Sequence, residues 1–351
     1  MELNDIIKYS VEKNASDIFI ISGAPLSCKV SGRMHRIEEQ PLTPEDTARY
    51  VRGIFELAHI PVPEETAIGR ELDFSLSVPG MGRFRVNVYR QRGSFAAVMR
   101  YVPFELPDPQ KLSIPEEVMR LADEKNGIVL VTGVAGAGKS TTLSSIINRI
   151  NETRDGHIIT IEDPIEFLHR HKRCLISQRE INIDTETYLD ALRAALRQSP
   201  DVIFLGEMRD YETISVAMTA AETGQLVLST LHTLGAANTI DRIIDVFALN
   251  QQHQIRIQLS MVLNAVVSQQ LLPAVDGGVV PAFEIMTMNS AIRTLIREEK
   301  THQIDLIMQS TPGMQTMDSC IMKLYQQGKI TARTAVDFAY NQELMSKRIR
   351  I

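Results

Sequence analysis

The sequence predicts an α/β fold in two domains, a small α+β domain followed by a mostly parallel sheet flanked by helices. Before residue 103, short runs alternate apolar and polar residues between turn signals, which is typical of antiparallel strands. After residue 113, continuous apolar runs alternate with helical patterns, which is typical of a doubly wound sheet. Prolines 103, 107 and 109 separate these regions and disfavour helix before them. We predict domains over 1–102 and 114–351, joined by a linker over 103–113.

The first domain combines helical and strand patterns. Residues 43–46 read TPED, which supplies an N-cap threonine, a proline at the first helical position and two acids in the first turn. Along residues 83–90, Phe84, Val86 and Val88 alternate with polar residues, so one face should pack and the other should be polar. The predicted elements are a helix over 2–13, a strand over 17–21, a hairpin over 26–37 that turns near Ser31 and Gly32, a helix over 44–57, and strands over 72–78, 83–90 and 96–102.

The second domain alternates buried strands with helices. Each apolar run is too short for a helix and is followed by a segment with helical spacing. The predicted strands cover 127–131, 157–161, 202–206 and 226–230, and the predicted helices follow the first strand and cover about 186–197 and 211–223. The last hundred residues are predicted to be mainly helical.

A glycine-rich segment, GVAGAGKST, follows the first of these strands and precedes a helical pattern. At such a junction, backbone N–H groups cradle phosphates, a lysine reaches the β- and γ-phosphates, and a hydroxyl ligates Mg²⁺. We therefore predict that the chain binds ATP with Mg²⁺, with Lys139 on the phosphates and Ser140 on the metal. The predicted nucleotide-binding residues are Gly133, Val134, Ala135, Gly136, Ala137, Gly138, Lys139, Ser140 and Thr141.

Hydrolysis also requires groups that hold the metal and orient the attacking water. Glu207 ends the apolar strand over 202–206, with Gly206 where a Walker B element usually has aspartate, so Glu207 should serve the metal, through a bound water, or the attacking water. The alternative role for Glu207 is to cap the next helix. Glu162 and Glu166 end another strand with a third carboxylate between them, and such a cluster repels unless a cation or proton is shared. We predict that Glu166 or Glu162 polarises the water, and we prefer Glu166. The alternative is that these carboxylates form a solvated acidic turn without a catalytic role.

Further catalytic candidates are one histidine and several arginines. His232 lies at the carboxyl end of a predicted strand, where ligands bind in open parallel sheets, so it could contact the γ-phosphate or have a purely structural role. Arg83 and Arg100 of the first domain, and Arg209 of the second, are candidate contacts to the γ-phosphate if domains or subunits face each other across ATP. For Arg83 and Arg100 the alternative is a solvated sheet face.

Composition argues against several other classes of protein. The formal net charge of −6 disfavours a motor that grips duplex DNA over a wide surface, so we expect no nucleic-acid partner. Cys28, Cys174 and Cys320 lie far apart and show neither a disulfide framework nor a zinc knuckle. No stretch approaches the roughly 20 apolar residues of a membrane span, so we expect a cytoplasmic chain without direct membrane insertion.

Four segments in this order, GVAGAGKST, ITIEDPIE, LGEMRD and TGQLVLSTLHT, resemble the Walker A, Asp box, Walker B and His box of the type II/IV secretion ATPase superfamily. Within it, the chain is similar to PilT-type retraction ATPases of type IV pili, in its length, in ANTIDRIIDVF at 237–247 and in AIRTLIRE at 291–298. It departs from that pattern at Gln225, where the His box usually has histidine, and at Thr294, where asparagine is usual. It also lacks the cysteine cluster and longer N-terminal region typical of extension and type II secretion ATPases.

The resemblance implies a PAS-like first domain and a RecA-like P-loop NTPase domain with a helical C-terminal part. It further implies a cytoplasmic homohexamer at the inner face of the membrane, which hydrolyses ATP and rotates its domains against an inner-membrane platform protein. This motor would power pilus retraction and twitching motility, with other pilus-machine ATPases as indirect partners. The alternatives are a pilus-extension or type II secretion ATPase and, in a different class, a non-motor regulatory partner that depends on nucleotide.

Overall fold

A computed structural model describes residues 1–30, 32–61, 71–102, 106 and 108–349. The chain divides into two compact units, Met1–Glu105 and Leu106–Ile351. Residues 103–105 and 107 of the predicted linker, and Ser31 of the predicted hairpin turn, lie outside the described residues. The predicted domain boundaries stay predictions.

The first unit is an antiparallel sheet with helices, as the alternating patterns predict. Its α2 helix (Pro44–Leu57) begins with a capping box, in which Thr43 Oγ1 accepts from the Asp46 N–H and the Asp46 carboxylate accepts from the Thr43 N–H. The sheet order is β3-β2-β1-β6-β5-β4 among the described residues. The remaining elements are α1 (Leu3–Glu12), β1 (Ala15–Ile21), β2 (Pro25–Val30), β3 (Arg33–Pro41), β4 (Glu71–Val78), β5 (Gly82–Gln91) and β6 (Ser94–Val102).

The second unit is built on a sheet that is parallel except at one edge. Its elements are α3 (Glu116–Met119), β7 (Gly127–Thr132), α4 (Lys139–Thr153), β8 (Gly156–Glu162), β9 (Cys174–Glu180), α5 (Tyr188–Ala195), β10 (Val202–Leu205), α6 (Tyr211–Glu222), β11 (Leu226–Leu231), α7 (Ala236–Asp245), α8 (Leu249–Val262), β12 (Leu263–Pro273), β13 (Val279–Thr287), α9 (Ser290–Arg297), α10 (Ile304–Ser310), α11 (Met317–Gln326), α12 (Ala332–Phe338) and α13 (Gln342–Ile349). The strand order is β13-β12-β7-β11-β10-β8-β9, and β13 runs antiparallel to β12.

Helices cover both faces of this sheet, because its central strands are apolar on both sides. Ile128, Leu130, Ile203 and Val227 join one core with α6 and α7, and the alternate residues of the same strands join a second core with α4. The predicted α/β fold class is therefore confirmed. In the parts of the chain that the structure describes, no helix combines the length and the hydropathy that a membrane crossing requires.

The predicted helical C-terminal part is confirmed, with α9 to α13 after β13, but the strands β9, β12 and β13 were not predicted. Residues Leu263–Pro273 follow α8 without a glycine or proline to mark the change, and their apolar residues do not alternate regularly. β12 is extended because it pairs with β7 on one side and β13 on the other. Strand formation here depends on neighbours that are distant in sequence.

Candidate active site

The glycines of the predicted phosphate loop are required by its conformation and its surroundings. Gly133, Gly136 and Gly138 have φ of +143°, +77° and +88°, a region that favours glycine. A Cβ on Gly133 would lie 2.3 Å from the main-chain oxygen of Gln269, and one on Gly138 would lie 2.8 Å from Nε2 of the same residue. β12 therefore presses directly against the loop between β7 and α4.

Lys139 is buried inside this loop at the start of α4. Its Nζ donates to the carbonyl oxygens of Gly133 at 2.8 Å and Val134 at 3.0 Å, and lies 3.5 Å from Nδ1 of His232. Burial lowers the pKa of Lys139, while two neighbouring carboxylates act in the opposite direction. No side chain caps the N-terminus of α4, since its N-cap is a glycine. Free N–H groups and a buried ammonium at one helix end fit phosphate oxygens.

Glu207 stands beside this lysine, just beyond β10. Its Oε2 lies 2.6 Å from Nε of Arg209 and 3.6 Å from Nε2 of His232, and its side chain is only 15% exposed. Because an ammonium can only donate, Nδ1 of His232 suits Lys139 as an acceptor, which leaves the Nε2 proton facing Glu207. The histidine thus connects the lysine to the carboxylate.

Gly206 stands where a Walker B element usually has aspartate, and a tyrosine side chain approaches it closely. A Cβ at this position would lie 2.7 Å from the hydroxyl oxygen of Tyr188. The Gly206 carbonyl also accepts a hydrogen bond from Thr230 at 2.5 Å. A larger residue would displace the tyrosine ring, which lines the same cavity as Glu207.

The two candidate water-polarising carboxylates differ sharply in burial. Glu162, at the end of β8, is 7% exposed and accepts from Thr160 Oγ1 at 2.7 Å and Gln178 Nε2 at 3.2 Å. Burial raises its pKa to about 7, against the effect of these hydrogen bonds. Glu166 is exposed. The choice of Glu166 over Glu162 stays a prediction, and the two carboxylates differ in their exposure to solvent.

Most of the predicted site residues meet around one cavity of about 560 Å³. It lies at the carboxyl ends of β7, β8, β10 and β11, as expected for an open parallel sheet. The predicted residues that line it are Ala135, Gly136, Ala137, Gly138, Lys139, Ser140, Thr141, Glu162, Glu166, Glu207, Arg209 and His232. Gly133 and Val134 support the site through their carbonyl groups.

The remaining candidate residues lie in other places. Arg83 and Arg100 are on β5 and β6 of the first unit, where Arg100 pairs with Asp17 at 2.8 Å. Their contact with phosphate stays a prediction. Gln225 precedes β11 and His232 follows it, so roughly 20 Å of strand separates them at about 3.3 Å per residue. Gln225, which departs from the usual His box, therefore lies at the opposite end of β11 from the cavity.

Three supporting residues were not predicted. Tyr188 lines the cavity, Gln269 accepts from Thr142 at 2.8 Å, and Gln178 holds the loop after β8 by donating to the Phe167 carbonyl at 2.9 Å. Gln178 lies between Ser177 and Arg179 in β9, and Gln269 lies between Ser268 and Gln270 in β12. Because their neighbours are polar too, no local signal in the sequence singles them out.

Comparisons with known proteins identify the family of the chain. The family model "Type II/IV secretion system protein" matches residues 1–303. The chain is 43% identical over 337 residues to the type IV pilus retractation ATPase PilT of Pseudomonas aeruginosa, covering 95% of this chain and 97% of that protein. It is 45% identical over 321 residues to a twitching motility protein of Neisseria gonorrhoeae, covering 91% and 85% respectively.

A solved structure agrees along almost the whole chain. The crystal structure of the pilus retraction motor PilT with bound ADP has a TM-score of 0.90 and 46% identity, and 99% of each chain is covered. The resemblance to PilT-type ATPases is thereby confirmed. The chain is an ATPase of the type II/IV secretion system protein family.

Proposed function

We propose that this ATPase is the motor that retracts type IV pili. The observation that carries the proposal is similarity over nearly the full length of both chains to a protein named for retraction. The convergence of Lys139, Glu207 and His232 at one cavity supports ATP turnover as the source of the work. The proposal includes twitching motility as the cellular outcome.

Within this site, Lys139 would hold the β- and γ-phosphates, and the Ser140 hydroxyl and Glu207 carboxylate would hold Mg²⁺, Glu207 through a water. The donor set fits, because Mg²⁺ takes few protein oxygens and completes its coordination with phosphates and waters. When bound, the metal neutralises charge on the phosphate oxygens. In this proposal Glu166, which is exposed at the cavity, orients the water, and the buried Glu162 holds a proton beside it; their place on one cavity lining supports these roles.

The proposed assembly is a homohexamer in the cytoplasm, associated with the inner face of the membrane through a platform protein. Closure on ATP and opening on ADP would turn domains against that platform. In this proposal Arg83 and Arg100 contact phosphate when a subunit or its neighbour closes. Support comes from the family and from the similarity to a retraction motor.

Phosphate release by the purified protein tests the chemistry. Lys139→Ala should reduce steady-state release by at least about a hundredfold, because it removes a preorganised charge from the developing phosphate. Lys172→Ala is the matched control, since that lysine is exposed and pairs with Glu152. Retained turnover in Lys139→Ala would contradict the site. A wild-type protein that binds ATP without sustained turnover would favour the regulatory alternative.

A gene deletion tests the cellular role. Loss of the motor should leave pili on the surface but abolish twitching, because extension continues without retraction. Restoring the wild-type gene should restore movement, whereas restoring the Glu207→Ala variant should not. If the deletion removes the pili themselves, the chain is an extension or secretion ATPase instead.

A further inference from the structure

A second cavity, of about 320 Å³, adjoins the nucleotide cavity on the α6 and α7 side of the sheet. Glu207, Arg209, Thr230 and His232 line both cavities. The wall between the two spaces therefore includes His232, which lies 3.5 Å from Lys139, and Glu207, which faces that histidine.

The residues shared by the two linings include an ion pair and a histidine ring. The ion pair between Glu207 and Arg209, at 2.6 Å, and the ring of His232, 3.6 Å from the same carboxylate oxygen, stand at the boundary. Arg209 is 74% exposed, so it can change rotamer with little loss of packing. Movement of these side chains would change the boundary between the two cavities.

The second cavity is large enough for a small oxyanion, and its lining holds two arginines and one carboxylate, Glu207, which pairs with Arg209. Arg242, exposed in the last turn of α7, stands with Arg209 on its lining, and no ion pair of Arg242 is found among the described residues. Ile214 and Val246 are apolar residues on the same lining. Guanidinium groups bind oxyanions through paired, charge-assisted hydrogen bonds. The oxyanion produced on the other side of the wall is inorganic phosphate.

We propose that inorganic phosphate leaves through this second cavity, with Arg242 as its transient binding site. Hydrolysis breaks the bond between the γ-phosphorus and the bridging oxygen, and gives ADP and inorganic phosphate from ATP and one water. ADP remains on the phosphate loop and blocks the route by which ATP entered. The free phosphate therefore leaves past Glu207 and His232. The inference rests on hydrolysis at the first cavity and is independent of the machine that the motor drives.

Single-turnover kinetics test the route, with two measurements on the same full-length protein. Acid quenching reports phosphate formed, and a fluorescent phosphate-binding protein reports phosphate released. Arg242→Glu should slow release by about tenfold while formation stays near wild type, because the substitution reverses a charge on the route. Val246→Phe should slow release by narrowing the same cavity. Arg197→Gln is the control, since this exposed arginine lines neither cavity.

Binding of inorganic phosphate to the ADP-saturated protein gives an independent readout. Broadening of the ³¹P resonance of phosphate should require about tenfold more protein in Arg242→Glu than in wild type or in Arg197→Gln. The proposal is overturned if release tracks formation in both cavity variants, or if all three proteins bind phosphate equally. A wild-type protein that forms no acid-quenched phosphate refutes hydrolysis at this site and the exit route with it.

Discussion

Replacing Gly133 with alanine should weaken both folding and nucleotide binding, for reasons that the packing of β12 makes explicit. The added Cβ would lie 2.3 Å from the main-chain oxygen of Gln269 and 3.2 Å from Cβ of Ala137. A carbon normally stays about 3.3 Å or more from a carbonyl oxygen, so the overlap is roughly 1 Å. The oxygen cannot retreat freely, because Gln269 pairs with Phe283 of β13 and its neighbour Ser268 pairs with Thr132 of β7.

Two effects add to give the expected magnitude. Overpacking of this kind costs about 1–3 kcal/mol, and a non-glycine residue at a φ of +143° costs about 1–3 kcal/mol more. Gly136 provides the matched control, because its φ is +77° but nothing lies within 4 Å of an added Cβ. Gly136→Ala should therefore lose only about 1–2 kcal/mol, from backbone strain alone.

Denaturant unfolding of both variants, followed by titration with ADP, measures these differences. Gly133→Ala should lower the free energy of unfolding by roughly 2–6 kcal/mol and weaken ADP binding, because the loop must move to relieve the overlap. Equal decreases in the free energy of unfolding of the two variants would refute the reasoning, because they would show that β12 moves away from the added methyl group at little cost. Unchanged ADP affinity in Gly133→Ala would refute the link between β12 and the loop.

Three further predictions concern residues outside the loop. Glu284, buried on β13, accepts from the first N–H groups of α7 and α11. Burial raises its pKa from 4.5 to about 7, so between these pH values the folded state holds a proton that the unfolded state releases. The free energy of unfolding should therefore fall by about 3 kcal/mol as the pH rises from 4.5 to 7. Unfolding of Glu284→Gln at several pH values should show less of this decline, and an unchanged slope would contradict the assignment. Gln225→His should leave kcat for ATP unchanged, because residue 225 lies at the opposite end of β11 from His232; a changed kcat would show communication along the strand. Arg293→Ala should lower stability to urea by about 1–2 kcal/mol, because its guanidinium donates to two carbonyl groups at the end of α8. Arg297→Ala, on the exposed side of the same helix, should lose less, and an equal loss would remove the capping explanation.

Contiguous patterns predicted the phosphate site well. The strand, the glycine-rich loop and the helix from 127 to 153 follow one another without interruption, and the folded chain places them as β7, loop and α4. Glu207 and His232 were predictable as partners for a similar reason, because parallel strands present their carboxyl ends at one edge.

The contacts that β12 makes with the phosphate site were not predictable from local patterns. Gln269 contacts the phosphate loop and accepts a hydrogen bond from Thr142, which lies 127 positions earlier in the sequence. β12 lacks a regular alternation because both of its faces are covered. Such a segment forms a strand because it pairs with adjacent strands of the sheet. Its contact with the phosphate loop is therefore apparent only in the folded structure.

The sequence by itself determined the succession of β7, phosphate loop and α4 and the polar residues at the ends of the predicted strands, because these residues occur in an uninterrupted local context. Only the tertiary structure decided that β12 supports the loop, that Glu162 is buried while Glu166 is exposed, that Tyr188 approaches Gly206 closely, and that a second cavity adjoins Glu207. The physical reason is that desolvation, steric contact and cavities depend on residues that meet only when distant parts of the chain pack together.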